Sequence, residues 1–278
     1  MYVPSFIYLY DGGRTESLNL GEIATYLKRK FIKIEVEVRE DFIPFALTKL
    51  PAGKKSEVLE TIAEEIASSR VHDIKNKECT FKPSPAEVNY EKRRLEDEKH
   101  KATGIIYDGF SLLSVFSGLI PKRESNLKYC HIIFTNQLFG TWDESDLRYH
   151  ARVAVFGFPS IISTTGVVEA PAKPREFYIK RQIGVDLFTL KEEFKGRFID
   201  YDDPQLTEVM KGYVAQAVFY HITGDPFCED KDCRLYNAHW QEEVIKSQLR
   251  SKKELCLRHQ KVIDQIASLN DTLTVPGS

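Results

Sequence analysis

The sequence predicts an α/β fold, a twisted mixed sheet with helices on its faces, followed by a helical C-terminal part. Three observations predict it. The first forty residues read as strand, helix and strand, the usual opening of a layered α/β domain. Apolar runs at 131–135, 152–156 and 160–164 supply further strands. Beyond residue 204 the apolar positions recur at helical spacing almost to the end of the chain.

Residues 5–10, Ser-Phe-Ile-Tyr-Leu-Tyr, form a buried strand that runs into the Asp11-Gly12-Gly13 turn. A helix follows over 18–31, with Leu18, Ile23, Leu27 and Phe31 on its apolar face. Lys33 to Val38 alternates strictly and reads as a half-exposed strand. A second amphipathic helix spans 56–69. Residues 76–102 break the pattern: the run from Glu91 to His100 is dominated by interleaved acids and bases, which predicts a solvated helix or a mobile insertion and not a basic recognition surface.

Gly104 to Gly109 repeats the strand-into-Asp-Gly pattern of residues 9–12, as repeated turn chemistry and not as a repeated domain. A buried helix over 110–120 precedes the strands, and a polar loop carrying Trp142, Asp143, Asp146 and His150 separates the first two. The prolines at 171 and 174 mark an extended passage. Asp202-Asp203-Pro204 then predicts a helix start that runs to His221, with Gly224 and Pro226 as its stop. Helices over 237–249 and 253–268 complete the fold, and a frayed tail over 272–278 follows.

The net charge of −2 gives no reason to expect nucleic acid or an anionic membrane as a partner. No apolar run approaches the length of a membrane span, and the N-terminus reads as a strand and not as a signal peptide. Five cysteines, an odd number, argue against a disulfide scaffold and for a reducing, cytoplasmic compartment with thiols available to metal. Cys79 and Cys130 stand alone and are expected to pack in apolar surroundings.

Cys228, Cys233, Cys256 and His259 fall in the order C-x4-C-x22-C-x2-H, four soft or borderline donors of the kind that closes a tetrahedral zinc site. The competing reading is small buried residues beside a surface histidine. Other constellations are weaker. Asp200, Asp202 and Asp203 are accounted for by helix capping, the hydroxyls at 160–165 lack a histidine base at a recognisable spacing, and Asp-Gly-Gly at 11–13 is too short to cradle phosphate. Trp142 and Trp240 read as packing residues.

Together with His221-Ile-Thr-Gly224, this cluster resembles the archaemetzincins, zinc metallopeptidases of the metzincin clan, whose signature is H-E-x-x-H-x-x-G-x-x-H-C-x4-C-x-M followed by C-x-x-C. In that register His221 takes the second histidine, Gly224 the glycine, and Cys228 and Cys233 the first cysteine pair. Cys256 and His259 take the second pair, with His replacing the last Cys. The resemblance implies one archaemetzincin-like domain over 1–278, metzincin-like in its sheet, with a charged insertion at about 76–102 and a structural zinc subregion at about 222–268.

The departures from the signature lie in the reaction chemistry. Ala217 stands for the first catalytic histidine, Val218 for the glutamate, Phe227 for the third histidine and Leu235 for the methionine beneath the metal. A catalytic zinc needs three protein ligands and a water, and the glutamate takes the water's proton. His221 alone remains, a remnant of the catalytic set. The expectation is therefore one structural zinc, no second catalytic zinc, and a pseudopeptidase that binds an extended peptide or protein segment along the strands at 152–165. The alternative is an active zinc hydrolase with ligands relocated around His221, drawn from His131, His150, Asp225 or the Asp200/Asp202/Asp203 group. A zinc-stabilised nucleic-acid module is disfavoured by the mild acidity. Oligomeric state is not legible.

Overall fold

The structure is a computed structural model and describes residues 1–78, 82–97 and 102–268. Cys79 and the 272–278 tail lie outside the described residues, as does part of the charged 76–102 segment.

The chain opens on β1 (Phe6–Asp11), α1 (Leu20–Lys30) and β2 (Glu35–Glu40), the expected strand–helix–strand. β1 is buried on both faces, because its alternation is apolar on each side: Ile7 and Leu9 enter one core, Tyr8 and Tyr10 a second. Asn19 starts α1 by accepting the Glu22 N–H. β2 lies two residues later than the alternation suggests, with Val36 buried and Val38 exposed at the edge.

α2 (Phe42–Thr48), α3 (Lys55–Ser68) and α4 (Pro85–Glu96) contribute Phe42, Ile62, Ile66 and Leu95 to the tyrosine-side core. α4 corrects the reading of the charge-rich segment as merely solvated. A Ser84/Glu87 capping box starts it. Its inner face then carries Glu91, fully buried, between Arg70 (2.6 Å) and Arg94 (2.9 Å), with the Tyr107 hydroxyl donating at 2.8 Å. A buried carboxylate is tolerable only with such partners. The interleaved charges are in part a core network.

β3 (Ile106–Asp108) leads into α5 (Gly109–Leu119), which Asp108 caps by accepting the Ser111 N–H. Next come β4 (Tyr129–Thr135), β5 (Leu138–Asp143), β6 (Arg148–Arg152), β7 (Ala154–Val155) and β8 (Ser160–Ser163). Among the described residues the main sheet has the order β2-β1-β4-β8-β7, parallel except for antiparallel β7 at its edge, and β3-β5-β6 form a smaller mixed sheet. The twisted mixed sheet flanked by helices is thus the observed architecture. The polar loop expected at 142–150 is instead a hairpin, with Trp142 opposite Tyr149 in register. The strand expected at 152–156 is an edge and not a core element, because β6 and β7 end their two sheets.

α6 (Thr164–Glu169), α7 (Arg175–Gln182) and α8 (Leu187–Glu193) follow; Phe177, Leu190, Phe194 and Phe198 form a small core of their own. α9 (Leu206–Thr223) then crosses the other face of the main sheet. Val214, Ala217 and Val218 share a core with Ile7, Leu9, Ile132 and Phe134. Burying each valine there stabilises by roughly 2 kcal/mol. The helix begins two residues later than the Asp-Asp-Pro cap predicts, because the Asp203 side chain takes the Gln205 N–H in a local turn. It ends at Gly224, whose φ of 79° admits glycine readily. α10 (Gln241–Ile245) and α11 (Leu257–Ser268) close the described chain. No helix among the described residues is long and apolar enough to cross a membrane.

Candidate functional site

After Gly224 the chain turns back on itself. Cys228 N–H donates to the Leu235 carbonyl (2.9 Å), which folds 228–236 into a loop with Cys233 at its bend. Cys256 precedes α11 and His259 lies in the first turn, so the three-residue spacing puts both on one helical face. The Phe219 ring of α9 meets the His259 imidazole edge-on, with centroids 5.1 Å apart.

The donor atoms of Cys228, Cys233, Cys256 and His259 all lie within 4.8 Å of one another. Cys228 Sγ is 3.8 Å from Cys256 Sγ, while His259 Nδ1 is 3.5 Å from Cys233 Sγ and 3.2 Å from Cys256 Sγ. A zinc tetrahedron with Zn–S of about 2.3 Å and Zn–N of about 2.0 Å has edges of about 3.8 Å and 3.5 Å. The group is therefore compatible with a closed Cys3His zinc site. Cys256 N–H and Asp230 N–H each point at a sulfur, at 3.4 Å, as thiolates require.

Burial pushes the Cys233 thiol up to about 12 and raises Cys228 as well. At Cys256 burial works the same way, but hydrogen bonds from His259 and Arg258 N–H and from the neighbouring thiols draw it below the ordinary value. Cys228 and Cys233, held above the ordinary value, need a cation beside them to ionise at neutral pH.

A second feature lies along α9's C-terminal half, with Phe227 and Asn237 between it and the cysteine loop. A cleft of about 750 Å³ runs between the β6–β7 edge and α9, closed at one end by the 237–240 segment. Tyr213, Gln216 and Tyr220 are its helix-side lining. Phe156 packs on both Tyr220 and Phe227, and Trp240 is 45% exposed at the rim. Gln216 is 1% exposed: its Nε2 donates to the Tyr236 carbonyl (3.2 Å), and its Oε1 is buried with no hydrogen-bond partner.

Residues 3–266 match the family described as "Probable metallopeptidase family" (DUF6775). The chain belongs to that family. No curated protein and no solved structure matches it.

The residues that the archaemetzincin register aligns with its reaction positions are packed or tied elsewhere. Ala217 and Val218 are both fully buried in the core and do not line the cleft. His221 is half-buried, and its Nε2 donates to the Leu127 carbonyl at 2.8 Å. Burial holds its pKa below the ordinary histidine value against that hydrogen bond. Phe227 packs on Phe156, and Leu235 is fully buried.

The ligands considered for a relocated site are engaged elsewhere. His131 is buried, donating from Nε2 to the Glu124 carbonyl (3.1 Å) and accepting the Tyr10 hydroxyl at Nδ1 (2.9 Å). Asp225 accepts the Phe227 N–H. Asp200 pairs with Lys191 (2.6 Å), Asp202 accepts from Thr15, and Asp203 accepts from Gln205. His150 sits at the cleft with Nε2 against both Asp146 oxygens, and with Asp143 it forms the other three-donor group among the described residues. His221 belongs to neither group.

The cleft residues Tyr213, Gln216 and Tyr220 were not legible as a site. The one available signal was Gln216, a polar residue inside the run Val214-Ala215-Gln216-Ala217-Val218. Of the isolated cysteines, Cys130 is buried as expected.

Proposed function

We propose that this protein is an archaemetzincin-like pseudopeptidase that binds an extended peptide or protein segment, with one structural zinc held by Cys228, Cys233, Cys256 and His259. The observation that carries this reading is the contrast along α9: hydrocarbon at 217 and 218, a histidine tied to a backbone carbonyl at 221, and an open cleft beside them. Zinc at the Cys3His group would cross-link the loop after α9 to α11. A closed shell of four protein ligands leaves no position for substrate.

The cleft favours an extended segment for two reasons. The β6–β7 edge lines it, and its outer side pairs with no strand among the described residues, which suits an added strand. Gln216 Oε1 is an acceptor without a donor, and a peptide N–H is a donor that could complete it. The aromatic lining would bury apolar side chains of the segment.

An active hydrolase built on His221 would need at least two further protein ligands on a metal bound at its Nδ1. His131, Asp225 and the 200–203 acids are held by other partners.

The test uses a pool of random decapeptides with and without 1,10-phenanthroline, read by Trp240 fluorescence and mass spectrometry. The expected result is a saturable fluorescence change with the peptides intact, weakened by Gln216→Leu. Cleavage abolished by the chelator would refute the proposal.

A further inference from the structure

A separate crevice of about 520 Å³ opens at the carboxyl ends of β1, β4 and β8. It lies at a topological switch point. From β1 the chain passes first to β2 on one side and later to β4 on the other, so the loops after β1 and β4 diverge. Ligands of open parallel sheets bind in such crevices.

The lining has a definite chemistry. Asn136, directly after β4, is 4% exposed, and its Oδ1 is buried with no hydrogen-bond partner. The hydroxyls around it already donate to protein oxygens: Thr164 to the Gly13 carbonyl, Thr165 to the Asn136 carbonyl, Tyr201 to Glu169, and Thr15 to Asp202. Arg14 is turned to Asp41 and to the Arg94 and Asp97 carbonyls. Acceptors are therefore in surplus. Asp200 is paired with Lys191, but Glu169 and Asp202 make no ion pair among the described residues. The nearby Lys173 donates to the Val168 carbonyl, and its ammonium also feels the Glu169 and Asp200 carboxylates without forming an ion pair with either. Ile105, Leu138, Val168 and Leu206 supply an apolar wall.

Two residues at the mouth, Arg14 (φ 51°) and Asp202 (φ 54°), adopt left-handed backbone without being glycine, and the Thr15–Asp202 hydrogen bond (2.7 Å) ties their loops together. The loops after β1 and before α9 are thereby held in one arrangement around the crevice.

We infer that this crevice is a second ligand site, taking a small aliphatic ammonium compound whose N–H groups meet Asn136 Oδ1 and the Glu169 and Asp202 carboxylates while its alkyl chain lies on Leu138, Val168 and Leu206. The site is independent of zinc and of the peptide cleft.

The test titrates ¹⁵N-labelled full-length protein with n-pentylammonium, pentanoate and pentan-1-ol, following the Gly13 and Gly104 amides and the Asn136 side-chain amide. Pentylammonium is expected to shift these signals saturably, pentanoate to leave them unmoved, and pentanol to bind at least about tenfold more weakly, the loss of a charge-assisted hydrogen bond. The double variant Glu169→Gln/Asp202→Asn keeps the Tyr201 and Thr15 partners, and asparagine tolerates the left-handed φ. It should weaken pentylammonium about tenfold, as should Asn136→Leu. If Asn136→Leu fails to fold, the double variant decides. An unmoved wild-type spectrum, an equal response to all three compounds, or undiminished binding by the folded double variant would overturn the inference.

Discussion

Two adjoining stretches of the C-terminal third have opposite characters. From Cys228 to His259 the chain brings four metal donors within 4.8 Å of one another. From Gln216 to Phe227, along the end of the helix and the turn that leads into that loop, it brings together no metal-binding group among the described residues. The difference separates what a metal does for folding from what it does for reaction. A closed clip contributes to the stability of every molecule that folds. Reactive ligands in a packed helix are buried polar groups, and hydrocarbon in their place packs at no electrostatic cost. In the function proposed above Ala217 and Val218 are such replacements, and both are buried in the core.

The largest test of this contrast is to break the clip. Cys233→Ser, or removal of metal by a chelator, is expected to cost roughly 10 kcal/mol of apparent stability, comparable with the whole stability of an ordinary domain. Thermal unfolding followed by circular dichroism would show the loss, and a chelator-insensitive melting curve would mean that the four donors hold no structural ion.

The second test introduces at position 218 the carboxylate that the archaemetzincin signature carries. Val218→Glu places a carboxylate in a fully buried apolar position and should destabilise by about 3–5 kcal/mol, without creating a hydrolase. Urea titration measures it. A neutral effect would mean that position 218 reaches the cleft.

His131 gives a third test, through pH. Burial in its apolar surroundings lowers its pKa from 6.5 to about 4 despite the opposing hydrogen bond to Glu124. A histidine depressed in the folded state stabilises fully above about pH 6.5, and that contribution disappears as pH falls towards 4, because the unfolded chain then binds a proton the folded one refuses. The contribution is about 3 kcal/mol. Stability measured between pH 7 and 4 should therefore fall less steeply in His131→Gln than in the parent chain. Identical slopes would show that His131 is not buried as a neutral ring.

How much of this was legible in the sequence follows from the range over which each feature is encoded. The opening strand–helix–strand, the Gly224 stop and the Cys/His spacing are local, and each lies within a few residues of where it was expected. The hairpin at 138–152 was not, because its strands are held by pairing with each other and with β3, and Trp142 and Tyr149 lack clean alternation. Glu91 looked like one more solvated acid in a charged run; only the approach of Arg70 and Tyr107 from other elements makes it a core residue. The cleft was illegible for a similar reason. Which face of α9 meets it depends on how the helix rolls against the sheet, and the roll presents Tyr213, Gln216 and Tyr220, whereas the motif register points to 217 and 221.

His221→Ala carries the smallest expected effect, about 1 kcal/mol for one lost hydrogen bond. It also bears most directly on the central claim, through metal content. Elemental analysis of the purified chain and of this variant should give one zinc per chain in both. Two zinc ions in the parent and one in His221→Ala would contradict the account, because a reaction centre would then survive on α9.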